Sequence, residues 1–239
     1  MEAGKNIKTV TEKENRIIMS EATEIDFTKY IEHTLLKADC VNDDIIKLCK
    51  EAIENKFYAV CIPPCFVQLA KKTIAKKPVK IVTVVGFPLG YSTVGAKVEE
   101  VKKAIISGVD EIDMVMNIAA FKSGDEAVVR NDMQSVITTC HLQNKKVKVI
   151  IETCLLSEDE IKKACKICVD CEADFVKTST GFAKAGATVD VVKLLRKSLP
   201  SKIKIKAAGG IKDKKLATEL MTAGADRIGT SSAMKWIEV

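Results

Sequence analysis

Residues 174–211 read DFVKTSTGFAKAGATVDVVKLLRKSLPSKIKIKAAGGI. A short apolar run, Asp174–Lys177, ends in a lysine and runs into Thr178-Ser179-Thr180-Gly181. Val189–Lys197 then carries apolar residues at helical spacing, and a second apolar run, Ile203–Lys206, ends in a lysine before Gly209-Gly210. Strand, polar loop, amphipathic helix and strand again make one parallel βαβ unit.

The same unit recurs along the chain. Strands are predicted at Ile31–Leu35, Tyr58–Ile62, Lys80–Val85, Glu111–Met116, Val147–Glu152, Asp174–Lys177, Ile203–Lys206 and Arg227–Gly229. Helices are predicted at Asn42–Asn55 (capped by Asn42 or Asp43), Cys65–Ala75, Val94–Ser107, Asp125–His141, Ser157–Cys171, Val189–Lys197 and Asp213–Ala223. Gly108 and Gly224 stand where helices should stop. Near-continuous apolar strands suit a parallel sheet buried on both faces. Eight such units in this length close into a single (β/α)8 TIM barrel. The alternative, a doubly wound open sheet, lacks its G-x-G-x-x-G turn after the first strands. Residues 21–239 are assigned to the barrel, and residues 1–20 to a polar leader, a short and partly helical N-terminal extension.

Composition agrees with a globular protein. Of 239 residues, 47% are hydrophobic and only 5% aromatic, so the core is aliphatic. No run of about 18 apolar residues occurs, and the first twenty residues lack the apolar stretch of a signal peptide. A cytoplasmic chain without membrane contact is expected. The net charge of +6 is spread evenly, with no arginine stripe, so nucleic acid is not an expected partner and a small anion is. Cys165, Cys168 and Cys171, among nine cysteines, have a spacing that resembles part of an iron–sulfur ligand run. Ser157 and Glu160 instead mark that segment as a capped helix, with the thiols as core on one stripe. No metal and no other cofactor is expected.

In a parallel barrel, function gathers at the C-terminal strand ends, so polar residues that break the apolar rule there are informative. Asp113 interrupts Glu111–Met116, and Lys177 and Lys206 end their strands. Lys202, Lys204 and Lys206 share one parity, and position favours Lys206. Gly209-Gly210, read as opening the next helix, and Gly229-Thr230-Ser231-Ser232, after the last strand, offer backbone N–H groups and hydroxyls for a phosphate. Glu152 reads as a supporting acid, His33 as structural and His141 as solvent-facing.

Two lysines and a carboxylate can do defined chemistry. An unprotonated lysine attacks a carbonyl to form an imine. Its ordinary pKa of ~10.4 leaves almost none in that form at neutral pH. A neighbouring ammonium and burial both favour the free amine. The protonated imine is then an electron sink, and the carboxylate moves the proton of a substrate hydroxyl. With a phosphate cup, the residues describe a metal-free aldolase of a phosphorylated sugar. Two rivals stay open at this point. One is a barrel isomerase or synthase that shares the cup but forms no imine; the other is a non-enzymatic binding protein.

Seven motifs, in order, resemble the deoxyribose-phosphate aldolase family from about Tyr30 to Met234. They are Glu32-His33-Thr34-Leu35-Leu36, Val85–Gly90, Glu111–Val115, Lys148–Thr153, Lys177–Phe182, Lys206–Ile211 and Gly229–Ser232. The resemblance implies a class I aldolase that reversibly cleaves 2-deoxy-D-ribose 5-phosphate to acetaldehyde and D-glyceraldehyde 3-phosphate, in deoxynucleoside catabolism. By motif match Lys177 would form the Schiff base. Lys206 would be its pKa-lowering, proton-relaying partner, and Asp113 the proton donor and acceptor, working with a water. Gly181, Gly209, Gly210, Gly229, Ser231 and Ser232 would contact the phosphate. Homodimers or homotetramers are implied. Three departures stand out: Glu32 where many members have Asp, Pro63 in place of an Asn, and Phe182 where some place a lysine that contacts the phosphate.

Overall fold

The structure is a computed structural model, and it describes residues 26–236. The leader expected at residues 1–20 lies outside the described residues. A 3-10 turn, Phe27–Tyr30, leads into β1 (Ile31–Thr34). Then follow α1 (Asn42–Glu54), β2 (Ala59–Ile62), α2 (Val67–Ile74), β3 (Lys80–Val85), α3 (Val94–Ser107) and β4 (Glu111–Val115). A short α4 (Ile118–Lys122) precedes α5 (Glu126–His141), β5 (Lys146–Ile150), α6 (Glu158–Asp170) and β6 (Phe175–Lys177). The chain continues through α7 (Val189–Ser198), β7 (Lys204–Ala208), α8 (Lys214–Thr222), β8 (Arg227–Thr230) and a last 3-10 turn at Ala233–Trp236. All eight strands are parallel to their neighbours, and β8 returns to β1 to close the barrel. Among the described residues no helix is long and apolar enough to cross a membrane.

Alternation along the strands divides the core in two. Residues such as Val60, Ile112, Val149, Val176 and Ile228 point outward and pack against the helices. Ala59, Cys61, Val82 and Val84 form a separate small apolar cluster from β2 and β3. The charged residues of the other strands, which alternate with the outward set, are buried too: Glu32, Glu111, Asp113, Lys148, Lys177, Lys206 and Arg227. The barrel interior is therefore apolar on one side and ionic on the other.

Several local expectations need correction. The cap of α1 is Val41, not Asn42 or Asp43; Asp44 Oδ2 accepts from the Val41 amide at 3.0 Å. The helix expected from Cys65 starts with a 3-10 turn, Pro64–Phe66, and is helical only over Val67–Ile74, because Pro63 and Pro64 fix the chain in a tight turn. The segment Val147–Glu152 is strand only to Ile150; Glu152 has a positive φ of 49°, which no strand sustains. β7 runs two residues past Lys206, to Ala208, so the lysine lies within the strand. β8 likewise includes Gly229 and Thr230. The helix after Gly209-Gly210 begins only at Lys214, where Asp213 Oδ1 caps it by accepting from the Leu216 amide at 2.8 Å. The two glycines therefore stand free of that helix. Other boundaries agree. Ser157 caps α6 with Glu160 returning the bond, and Gly108 ends α3 in a left-handed conformation.

Candidate active site

The parallel register lines up the polar residues named above. Lys177 on β6 pairs with Lys206 on β7, and Asp113 on β4 pairs with Lys148 on β5. Lys177 Nζ donates to Asp113 Oδ2 at 2.8 Å, and Lys206 Nζ donates to the same oxygen at 2.7 Å. Lys206 also pairs with Glu32 Oε2. The lysine at 177 does not snorkel into solvent: its side chain is 3% exposed.

Burial by itself would raise the Asp113 carboxyl, but Lys148, Lys177 and Lys206 overrule it and hold it well below the usual carboxylate range. Burial pulls the Lys206 ammonium down; Asp113 and Glu32 more than reverse that, so it stays above its ordinary value. In the resting site Lys206 is thus a cation and Asp113 an anion.

Above this cluster opens a cleft of about 300 Å³. Lys177 and Lys206 lie in its wall, together with Thr180, Gly181, Gly209, Gly210, Gly229, Thr230, Ser231 and Ser232. All the residues singled out in the sequence for phosphate contact are brought to one place. Two close approaches shape it. A Cβ on Gly186 would meet the Gly209 carbonyl oxygen at 2.0 Å, and one on Gly209, whose φ is +87°, would lie 3.0 Å from Gly186 Cα. Only glycines let the β6 and β7 loops touch in this way.

In the loop after Lys177 the hydroxyls turn toward the protein. Thr178 and Ser179 are buried, with Thr178 Oγ1 bonded to the Ala208 backbone at 3.1 Å on both its amide and its carbonyl. Thr180 donates its hydroxyl and amide to Glu152, and its Oγ1 accepts from the Phe182 amide at 3.0 Å. Glu152 therefore acts as an anchor for this loop. The Ser232 amide is turned to Thr230 Oγ1 at 2.9 Å. His33 is buried and bonds Glu51 Oε2 at 2.8 Å, a structural contact. His141 is exposed, as expected, and bonds Asp174 Oδ2 at 2.9 Å.

The three cysteines of α6 and its cap are packed as hydrophobes. Burial pushes the Cys165 thiol up to about 12 and raises Cys168 and Cys171 as well. Glu32, Cys61 and Asp113 bring donor atoms within 4.8 Å of one another. Both carboxylates, however, already face ammonium groups, and burial raises the Cys61 thiol, so this donor set suits cations of lysine better than a metal.

Three residues escaped the sequence reading. Lys148 is a third buried lysine in the ionic cluster, 3.0 Å from Asp113 Oδ1. Its signal was present: a charged residue inside an apolar strand, like Asp113. Lys37 and Lys212 line the cleft from the β1 and β7 loops, and both are exposed. Loop lysines are common, and nothing in their spacing marked them.

Residues 18–234 match the DeoC/LacD family of aldolases. A deoxyribose-phosphate aldolase of Thermococcus gammatolerans is 50% identical over 216 residues, covering 90% of this chain and 96% of the relative. One from Mannheimia succiniciproducens is 49% identical over 213 residues, covering 89% and 94%. Among solved structures, an aldolase designated QR15 superposes with a TM-score of 0.86 at 43% identity, over 90% of this chain and 96% of that one. A tetrameric deoxyribose phosphate aldolase from Aeropyrum pernix gives 0.83 at 29% identity, over 89% of each chain.

Proposed function

The chain belongs to the DeoC/LacD family of aldolases, and we infer from that membership and from the site that it reversibly cleaves 2-deoxy-D-ribose 5-phosphate through an imine. The observation that carries the reading is the pair of ammonium groups on one oxygen of Asp113, at the foot of a cleft lined with glycines and hydroxyls.

The number of carboxylates around each amine supports a division of roles. Lys148 faces three, Lys206 two and Lys177 one. The amine that must act without its proton is the one held by the fewest carboxylates, and it also opens on the cleft. Lys177 Nζ attacks the aldehyde carbon of the open-chain sugar, and loss of water gives the protonated imine. Asp113, directly or through a water, takes the proton of the C3 hydroxyl. The C2–C3 bond then breaks, its electrons pass to the imine nitrogen, and glyceraldehyde 3-phosphate leaves. Protonation of the enamine and hydrolysis release acetaldehyde and restore Lys177. The fixed charge of Lys206 disfavours a second cation at Lys177 and stands ready to move protons near the imine.

Gly181, Gly209, Gly210, Gly229, Ser231 and Ser232 are assigned to the phosphate end, with Lys37 and Lys212 at the rim. An isomerase or synthase without an imine leaves the paired lysines without a task. A homodimer or homotetramer in the cytoplasm completes the reading. It is supported by the Aeropyrum tetramer and by nine free thiols, which suit a reducing compartment.

Borohydride added with acetaldehyde should leave a stable two-carbon adduct on the peptide that carries Lys177, and a chelator should leave activity intact. Active protein with no adduct, or with the adduct elsewhere, overturns the assignment.

A further inference from the structure

Beneath the cleft lies an ammonium that this chemistry does not use. Lys148 is fully buried and is not part of the cleft wall. Its Nζ stands 3.0 Å from Asp113 Oδ1, 3.4 Å from Glu32 Oε1 and 2.6 Å from Glu111 Oε2. The oxygens are divided in a regular way. Asp113 gives Oδ1 to Lys148 and Oδ2 to Lys177 and Lys206, while Glu32 gives Oε1 to Lys148 and Oε2 to Lys206. Each carboxylate has one oxygen turned down and one turned up.

We propose that Lys148 is a positioning residue for the cleavage step: it pins the lower oxygens of Asp113 and Glu32, so that their upper oxygens stay aimed at the two lysines of the cleft. The inference rests on the reading of Asp113 as the carboxylate that moves the substrate hydroxyl proton. The terminal torsion of a carboxylate is broad and roughly two-fold, so the side chain does not hold this aim unaided. Without Lys148, Asp113 Oδ1 is also free to close on Lys177 and Lys206, and the reacting amine is then held by both oxygens instead of the one it now faces.

The floor of the barrel is built to hold Lys148 in place. Glu111 offers Oε2 to it and Oε1 to the Tyr58 hydroxyl at 2.5 Å. The Arg227 guanidinium lies 3.3 Å over the Tyr58 ring and 3.6 Å from Glu32 Oε1. Asp113 itself is faced by Glu32 from β1, Cys61 from β2, Glu111 from its own strand, and Lys148, Lys177 and Lys206 from the next three; β3 contributes the apolar Val84. Of the three lysines, only Lys148 holds Asp113 from beneath.

The test uses Lys148→Met and the double variant Glu111→Gln/Lys148→Met, which removes the carboxylate that the single change strands. The measurements are kcat and KM for 2-deoxyribose 5-phosphate across pH, with borohydride trapping alongside. Lys148 is one of the cations that hold the Asp113 carboxyl down, so its loss should move the acid limb of kcat upward. At neutral pH kcat should fall by roughly tenfold or more while KM stays within about twofold, the signature of an interaction used in the transition state. The adduct on Lys177 should still form. Glu111→Gln alone keeps an oxygen for Lys148 to donate to and leaves it between Asp113 and Glu32, so it should change the profile far less than the loss of Lys148 does. A folded variant lacking Lys148 with wild-type kcat and acid limb overturns the proposal, and so does a double variant that cannot fold, which makes the residue purely structural. Asp113→Asn separates the two levels. If that variant is unimpaired, the reading of Asp113 itself fails; if it is impaired while the Lys148 variants are normal, only the present inference fails.

Discussion

Lys177 and Lys206 donate to one and the same oxygen of Asp113, from 2.8 and 2.7 Å. Two like charges on adjacent strands would otherwise repel, and the shared carboxylate holds them together until a substrate arrives. On the proposed reading Asp113 turns to a substrate hydroxyl, the repulsion between the amines is then no longer offset, and the amine at 177 is the one that faces no other carboxylate.

Lys206→Met tests that asymmetry. Removing the ammonium leaves Lys177 as the one amine on Asp113 Oδ2, with no second cation competing for that oxygen. Turnover should fall by roughly 10²–10⁴, the range typical of a positioned acid–base group. The rate of borohydride-trapped adduct formation should fall with it, while the site of the adduct stays at Lys177. Trapping at the wild-type rate would show that Lys206 does not influence the amine.

The barrel was legible in the sequence because parallel strands buried on both faces announce themselves as apolar runs, and a charge inside such a run is conspicuous. Asp113, Lys177 and Lys206 were found that way. Lys148 obeys the same rule, but Lys146 two residues earlier, exposed at the foot of β5, gives its strand an ordinary alternating look. The exposed Lys204 did not mislead in the same way, since position along β7 favoured Lys206. Strand ends were less legible. Where β5 stops depends on the positive φ of Glu152, which is set by its bonds to Thr180 in the next loop. Gly186 could not be read at all, because its need for glycine arises from a carbonyl some twenty residues further on.

Acid should unfold the protein through the ionic floor. Glu111 is held down to about 2 from an ordinary 4.5, with burial opposing and Lys148 and Tyr58 prevailing. A carboxyl depressed by folding contributes stability that is complete above its unfolded value and is lost as pH falls toward its folded one. The melting temperature, followed by circular dichroism, should therefore be flat above about pH 5 and drop between about pH 4.5 and 2. For Glu111 the loss is on the order of 3 kcal/mol. Glu111→Gln should be less stable at neutral pH and should show a shallower acid drop. An acid limb as steep as that of the wild type would remove Glu111 from the account.

Gly229, proposed above for phosphate contact, also stands close to Lys206. A Cβ there would stand 2.9 Å from Lys206 Cε and 3.2 Å from Ala208 Cβ. The first neighbour is a flexible side chain, so Gly229→Ala should fold, but with the Lys206 ammonium pushed from its place between Glu32 and Asp113. The expected result is a fall in kcat of roughly tenfold or more with a smaller rise in KM, since a small misplacement in a site is costly. A change confined to KM would return Gly229 to phosphate binding alone.

The phosphate rim offers the sharpest separation of binding from chemistry. Phe182, in the loop after Lys177, stands against Phe87 in an edge-to-face contact at 5.2 Å and brings no charge to the cleft. The cations of the rim are Lys37, from the loop after β1, and Lys212, from the loop after β7. Both are exposed, so each should contribute only about 1 kcal/mol, roughly a fivefold effect. Lys37→Ala and Lys212→Ala should therefore raise KM for 2-deoxyribose 5-phosphate about fivefold each, with kcat unchanged and the effect weakening as salt is added. KM for unphosphorylated 2-deoxyribose should not move, because that sugar presents no charge to the rim. Equal losses on both sugars would mean that these lysines shape the cleft instead of reading the phosphate.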